Sequence, residues 1–146
     1  MLNASRFDTL TSMLLDSIEE GVIIYDTEFR YQLFNRFMER LSGMKEEDVL
    51  GRSAFDLFPH LRATGVDKLL ARALDGETVR SPETPYHVPS SGRRGWVVGQ
   101  YSPVRDAGGL SVGVIGIIRE VTRQKRAEDA MRQRETCFRS IIENAS

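Results

Sequence analysis

The sequence is poor in the residues that carry redox and metal chemistry. Of its 146 residues, one is a cysteine, Cys137, and two are histidines. A single thiol excludes an internal disulfide bond and a cysteine-rich zinc cluster. A lone free thiol is also typical of a reducing compartment, so these counts favour a cytoplasmic protein.

Long apolar segments are missing as well. No run approaches the roughly 20 apolar residues that cross a bilayer, and the opening MLNASRFDTL lacks the apolar core of a secretory signal. The net charge of −1 gives no electrostatic basis for binding nucleic acid or an anionic membrane. We therefore predict a soluble domain with neither nucleic acid nor membrane as a partner.

The motifs of common catalytic sites are also absent. The sequence has no glycine-rich phosphate loop of the usual types, no Ser-His-Asp set placed by a motif and no close carboxylate pair. The segment GGLSVG, residues 108–113, enters a predicted strand rather than a helix. We predict that this chain is not itself an enzyme.

Hydrophobic periodicity predicts one domain with an α+β fold. Residues 5–20 form an amphipathic helix, because Phe7, Leu10, Leu14 and Ile18 recur at steps of three and four. The chain continues as two strands, several short helices and three more strands, which is typical of a sheet with helices packed on one face. The predicted strands are 22–25, 30–35, 78–88, 95–104 and 110–121, and the predicted helices between them are 35–43, 45–50, 53–58 and 66–74. Asn35 is expected to cap the first of these helices and Gly43 to end it.

A weak internal repeat appears at a spacing of 124 residues. LLDSIEEG near the start aligns with FRSIIENA near the end, so Ile18 falls on Ile142 and Glu19 on Glu143. A repeat at a domain-length period predicts a tandem array. We accordingly divide the chain into a flanking helix, 1–20, a central domain, 21–122, and a linker helix, 123–146, that runs into the next copy.

The ordered motifs resemble the PAS sensory domain with its C-terminal PAC segment, over residues 11–132. The resemblance rests on SIEEGVIIYDTEFRYQLFNRFMERLSGMKEEDVLGRSAFDLFP, then LARALDGETV, then GWVVGQYSPVRDAGGLSVGVIGIIREVTRQKRAEDAM. It implies a five-stranded antiparallel sheet of order 2-1-5-4-3, with helices on one face and a pocket between them. It also implies a sensor in signal transduction, upstream of a two-component histidine kinase or a GGDEF diguanylate cyclase.

The segment REVT, residues 119–122, stands where this family ties its last strand to the outgoing helix. The family usually has Asp at the position of Glu120, whereas Val121 and Thr122 match its pattern. We expect Thr122 to cap the helix and Glu120 to accept hydrogen bonds from backbone or arginine groups. The resemblance implies that Glu120, Val121 and Thr122 relay a signal; the alternative is a plain capped helix end.

Both flanking helices are candidates for pairing with a second copy. The stripe of Phe7, Leu10, Leu14 and Ile18 predicts a homodimer seam, although it would equally cover the open sheet face of its own domain. The linker helix carries charges of alternating sign, and Arg134 interrupts its best heptad seam. A coiled coil and a linker packed on its own domain therefore both stay open for the second helix.

The resemblance also implies a small-molecule pocket between sheet and helices. Gln100 would share the inward face of Trp96, and its amide would then need a partner. The alternative is that these residues are simply core and that the module is a ligand-free dimerisation or spacer scaffold. The predicted lining residues are Phe37, Met38, Leu41, Phe55, Phe58, Leu70, Trp96, Val98, Gln100 and Val114.

The identity of any cofactor stays unknown at this level. A flavin-adduct photosensor of this family needs a cysteine on a helix of the domain, and Cys137 lies in the linker. Haem is not expected, because the helix 66–74 holds no histidine and His60 and His87 are predicted to be surface residues. No cluster of side chains predicts a metal site.

Overall fold

The computed structural model describes the backbone of residues 2–144 and the side chains of residues 9–144. The helices are α1 (Leu2–Ser17), α2 (Arg36–Ser42), α3 (Glu46–Val49), α4 (Ala54–Leu57), α5 (His60–Ala63), α6 (Val66–Leu74) and α7 (Thr122–Asn144). The strands are β1 (Gly21–Tyr25), β2 (Tyr31–Phe34), β3 (Val79–Arg80), β4 (Thr84–Val88), β5 (Arg93–Arg105) and β6 (Ser111–Glu120).

One antiparallel sheet organises the domain, in the order β2-β1-β6-β5-β3, with β4 also paired to β5. The predicted strand 78–88 is divided into β3 and β4, so the sheet has six strands rather than five. The break falls at Pro82, which has no backbone N–H to give to the ladder. The predicted α+β fold and the central position of the last strand are confirmed.

Asn35 joins three elements at one corner of the domain. Its Oδ1 accepts hydrogen bonds from Met38 N at 3.2 Å and from Val22 N at 3.0 Å. Its Nδ2 donates to the carbonyl oxygens of Leu15 and Glu20, near the end of α1. Asn35 therefore caps α2, as predicted, and also holds the end of α1 against the start of β1.

The core lies between the sheet and helices α2 to α6. Its buried members include Phe34, Val49, Leu70 and Val114, each at most 1% exposed. Three tyrosines, Tyr25, Tyr31 and Tyr101, are also buried there. The Tyr101 ring packs directly against the backbone at Gly116, since a Cβ on Gly116 would come within 3.0 Å of the ring. We call this glycine surface under the ring the glycine floor.

The predicted inward face of β5 was wrong. The alternation was right, but Val97 and Tyr101 pack into the core, so Trp96, Val98 and Gln100 lie on the opposite face. Gln100 is exposed and needs no buried partner. The reason is packing space: Gly99 and Gly116 leave room for the Tyr101 ring on the helix side of the sheet.

The two long helices expose apolar side chains. On α1, Leu10, Met13 and Leu14 are 57%, 64% and 63% exposed, while Leu15, and Ile18 just beyond the end of the helix, are partly buried. Phe7 lies outside the described side chains. On α7 the exposed apolar residues are Met131, Phe138, Ile141 and Ile142. Cys137 is exposed on the same helix.

Candidate functional site

The junction between β6 and α7 brings together the three residues predicted to relay a signal. β6 ends at Glu120, and Val121 N still donates to Trp96 O at 2.8 Å, extending the pairing with β5 by one residue. Val121 O then accepts from Lys125 N at 2.9 Å as the helix begins. Val121 thus belongs to the sheet ladder through its N–H and to the helix through its C=O.

Thr122 ties the helix start to the neighbouring strand. It is a buried polar residue, 9% exposed, and its Oγ1 accepts a hydrogen bond from Trp96 N at 2.9 Å. The predicted cap within its own helix was wrong, because the hydroxyl is taken up by β5 instead. The consequence is a cross-element tie: moving the start of α7 away from β5 would leave the Trp96 N–H without its acceptor.

Glu120 is held by two side chains from strands β4 and β5. Its Oε2 accepts from the Tyr86 hydroxyl at 2.6 Å and from Arg93 Nη2 at 3.0 Å. Arg93 Nε also donates to the Tyr86 oxygen at 3.2 Å, which closes a triangle of three groups. The prediction that Glu120 accepts from an arginine is confirmed, whereas Tyr86 as its partner was not foreseen.

The electrostatics of this triangle favour the neutral phenol. Two causes raise the pKa of Tyr86 above its ordinary value: the larger is partial burial, and the second is the hydrogen bond donated to Glu120. Tyr86 therefore stays protonated and remains a hydrogen-bond donor throughout the physiological range. The guanidinium of Arg93 supplies the positive charge that balances the carboxylate.

Lys125 provides a further tie, one turn into α7. Its Nζ lies 3.1 Å from Glu83 Oε2 and 5.1 Å from the ring centroid of Trp96. The Lys125 side chain is only 18% exposed, so both interactions are partly shielded from solvent. The first turn of α7 is thus attached to β5 and to the loop before β4 by contacts of different kinds.

The predicted pocket residues divide into two groups. Met38, Leu41, Leu70 and Val114 are buried in the core, and Phe37, Phe55 and Phe58 pack against it. Trp96, Val98 and Gln100 are on the other face of the sheet, as described above. The group on the core side lies where the resemblance places a ligand, and its role as a ligand contact stays a prediction.

The buried tyrosines are the polar groups of that interior. The hydroxyls of Tyr25 and Tyr31 interact, and their rings lie 5.1 Å apart between centroids. Burial raises the pKa of Tyr25 and of Tyr31, and it raises the pKa of Tyr101 to about 12. Tyr101 is not among the predicted lining residues, and the glycines at 99 and 116 were the signal available in the sequence.

Neither a metal site nor a membrane-spanning helix is found in the described part of the chain. Within residues 2–144, no group of three or more His, Cys, Asp or Glu is placed to hold a metal ion. His60 stacks edge-on against Phe58, with 6.0 Å between the ring centroids. No helix of the described chain is long and apolar enough to cross a membrane.

A family model described as the PAS fold matches residues 15–126. That span contains the whole sheet, the core helices and the junction, so the chain belongs to the PAS family. The uncharacterized protein y4lL of Sinorhizobium fredii is 29% identical over 143 residues, which is 97% of this chain and 17% of that protein. The cyclic di-GMP phosphodiesterase PdeR of Escherichia coli is 30% identical over 60 residues, 41% of this chain and 9% of that protein.

Solved structures agree on the fold. An RNA-binding Light-Oxygen-Voltage receptor superposes with a TM-score of 0.67 at 20% identity, over 91% of this chain and 38% of that one. A PAS domain from Colwellia psychrerythraea has a TM-score of 0.61 at 18% identity, over 80% and 98%. A PAS domain from a two-component sensor histidine kinase has a TM-score of 0.58 at 14% identity, over 80% and 98%.

Proposed function

We propose that this chain is a regulatory module that passes a change in its PAS core through Glu120, Val121 and Thr122 into α7. The observation that carries the proposal is the junction itself. The N–H of Val121 extends the sheet ladder while its C=O accepts the first helical hydrogen bond, and the hydroxyl of Thr122 accepts a hydrogen bond from the backbone of β5. A small shift of β5 therefore changes the hydrogen bonds that fix the start of α7.

The proposed input is a small ligand in the space between sheet and helices. The tyrosine hydroxyls supply polar groups in an otherwise apolar interior, a combination that suits a neutral ligand with hydrogen-bonding groups. Such a ligand would displace the Tyr101 ring from its glycine floor. Because Tyr101 lies on β5, displacement would act on the strand that binds Thr122.

A ligand-free scaffold is the second candidate, and a specific observation favours it. Tyr25, Tyr31, Phe34 and Leu70 are each at most 2% exposed and fill the helix side of the sheet. In that case the module would set only the spacing and register of the helices that flank it. The two proposals differ in whether the native protein carries a small molecule.

We further propose that the chain acts as a homodimer through α1, within a longer signalling protein. Leu10, Met13 and Leu14 form an exposed apolar surface on that helix, which a second copy would cover. The chain spans less than a fifth of the curated relatives it matches. A histidine kinase or an enzyme of cyclic di-GMP metabolism is the proposed output, in keeping with PdeR and the histidine kinase neighbour.

The experiment is mass spectrometry of the purified chain under native and denaturing conditions. A dimer that releases a small molecule on denaturation supports the sensor and gives the mass of its ligand. A dimer whose native mass equals twice that of the polypeptide supports the scaffold. A protein that remains monomeric at high concentration contradicts the dimerisation through α1.

A further inference from the structure

A groove of about 550 Å³ lies beside the junction, between β4, β5 and the start of α7. Each of these three elements contributes a basic side chain to its lining: His87 from β4, Arg94 from β5 and Arg126 from α7. His87 and Arg94 are direct cross-strand partners in the antiparallel pairing of β4 with β5. Pro85, Tyr86 and Trp96 provide the apolar part of the wall.

The charge of this groove is not compensated from within the domain. No carboxylate lines it, and within the described chain the guanidinium groups of Arg94 and Arg126 form no ion pair or side-chain hydrogen bond. Their sequence neighbours differ, since Arg93 is paired with Glu120 and Lys125 with Glu83. The guanidinium groups of Arg94 and Arg126 are therefore available to a ligand, whereas the neighbouring Arg93 and Lys125 are engaged in ion pairs.

The overall charge of the chain does not explain this arrangement. With a net charge of −1, the molecule has enough carboxylates to pair its bases. Two unpaired guanidinium groups that line one groove, with an imidazole beside them, raise the local potential and attract an anion. A guanidinium presents a planar fork of donors that matches the oxygens of a phosphate group, and imidazole adds another donor.

We propose that this groove is a binding site for the phosphate group of a small phosphorylated molecule, held by Arg94 and Arg126 with His87 beside them. The volume falls within the range of small-molecule sites, so it admits a ligand of nucleotide size as well as a free phosphate or diphosphate. The groove lies outside the core space assigned above to a neutral ligand. It is therefore a second site, which prefers an anion where the core prefers a neutral ligand.

The position of the groove gives the site a consequence for the junction. Arg94 belongs to the sheet and Arg126 to the helix, so one bound phosphate would bridge the two sides of the junction. An occupied groove would then hold the first turns of α7 against β5. This regulatory consequence rests on the proposed relay, whereas the binding itself rests only on the chemistry of the groove.

The test is calorimetric titration of the 146-residue chain with pyrophosphate and, separately, with ADP. Trp96 is the single tryptophan and lines the groove, so its fluorescence reports binding of pyrophosphate directly. We expect saturable binding of both probes, weakened by added salt. Loss of two charge-assisted contacts in the double variant Arg94→Gln/Arg126→Gln should weaken binding by at least about tenfold.

The matched control is Arg132→Gln/Arg139→Gln, which removes the same charge from exposed positions further along α7. It should bind both probes as the unaltered chain does. ADP binding more tightly than pyrophosphate identifies a nucleotide-like ligand, and equal affinity identifies the phosphate group alone; either result supports the site. Absence of saturable binding, or an equal loss in the control variant, overturns the proposal and leaves the relay through Thr122 unaffected.

Discussion

The hydroxyl of Tyr86 donates a 2.6 Å hydrogen bond to the carboxylate of Glu120, across 34 residues of sequence. This contact joins β4, on the outer part of the sheet, to the last residue of β6 before the outgoing helix. Thr122 makes a second tie two residues later, to β5. Together they make the start of α7 dependent on the positions of two strands.

Removal of the Tyr86 hydroxyl should loosen this corner without disturbing the core. We expect Tyr86→Phe to lower the free energy of unfolding by about 1 kcal/mol, because a hydrogen bond to a partly buried carboxylate is lost while the ring remains. Urea denaturation measures this difference. The control Glu28→Gln breaks an exposed ion pair with Arg30 and should change stability by less than about 0.5 kcal/mol. Equal effects of the two variants would contradict the assigned role of Tyr86.

Thr122 should be replaceable by serine but not by alanine. In Thr122→Ala the backbone N–H of Trp96 loses its acceptor in a partly buried site, which should cost about 1–3 kcal/mol. Thr122→Ser keeps the hydroxyl and should retain most of the stability. Thermal unfolding of both variants distinguishes them, and a serine variant as unstable as the alanine variant would show that the methyl group, not the hydroxyl, matters.

The glycine floor under Tyr101 should tolerate no side chain. A Cβ at Gly116 would lie 3.0 Å from Cε1 of Tyr101 and 3.1 Å from its Cδ1. Gly116→Ala should therefore destabilise the domain by about 1–3 kcal/mol through overpacking. The control is Gly108→Ala, in an exposed turn where a Cβ would have Oδ1 of Asp106 as its nearest neighbour, at 3.4 Å. Coinciding denaturation curves for the two variants would contradict the close packing of the Tyr101 ring against Gly116.

The buried tyrosines should make the domain sensitive to alkali. The pKa of Tyr101 is raised to about 12 in the fold, against roughly 10 for an exposed tyrosine. The unfolded chain therefore releases this proton first, so stability is complete below about pH 10 and falls as the pH rises through the folded pKa. Over that range the free energy of unfolding of Tyr101→Phe should fall by about 2–3 kcal/mol less than that of the unaltered chain. Parallel pH profiles of unfolding for the two proteins would refute this.

The exposed leucines of α1 should support self-association. Leu10→Ser/Leu14→Ser removes two of the apolar side chains that a second copy would cover, and should shift the protein from dimer to monomer in sedimentation equilibrium. Leu110→Ser is the control, because Leu110 is 68% exposed but lies in a turn at the far end of the sheet. A dimer that survives the double substitution would contradict dimerisation through α1 and would favour the exposed apolar residues of α7 as the interface.

The elements with local signals were predictable from the sequence. Asn35 was predicted to cap α2, and Gly43, at φ 78°, ends that helix where expected. The division of the strand before β5 was less clear, because Pro82 excludes one ladder bond without fixing where pairing resumes. Helix α1 ends at Ser17, earlier than its apolar stripe indicates, since Ile18 belongs to the segment that Asn35 holds.

The facing of β5 shows why the rest was not predictable. Trp96 and Val98 on one side, and Val97 and Tyr101 on the other, give the strand two comparable apolar faces. Alternation alone identifies the two sets without saying which is buried. The decision depends on Gly116, which is far from Tyr101 in sequence and directly opposite it in the sheet. The contact of Tyr86 with Glu120 is likewise a product of strand pairing.

Hydrogen–deuterium exchange of the double variant Tyr86→Phe/Thr122→Ala tests the central claim most directly. The account predicts that exchange of amides 121–126 rises by at least about tenfold, since two of the contacts that hold the junction of β6 and α7 to β4 and β5 are lost. The amides of β2, which does not pair with β6, β5 or β4, should keep their protection. Unchanged exchange at 121–126, or a rise of the same size in β2, would contradict a junction that couples the sheet specifically to the helix.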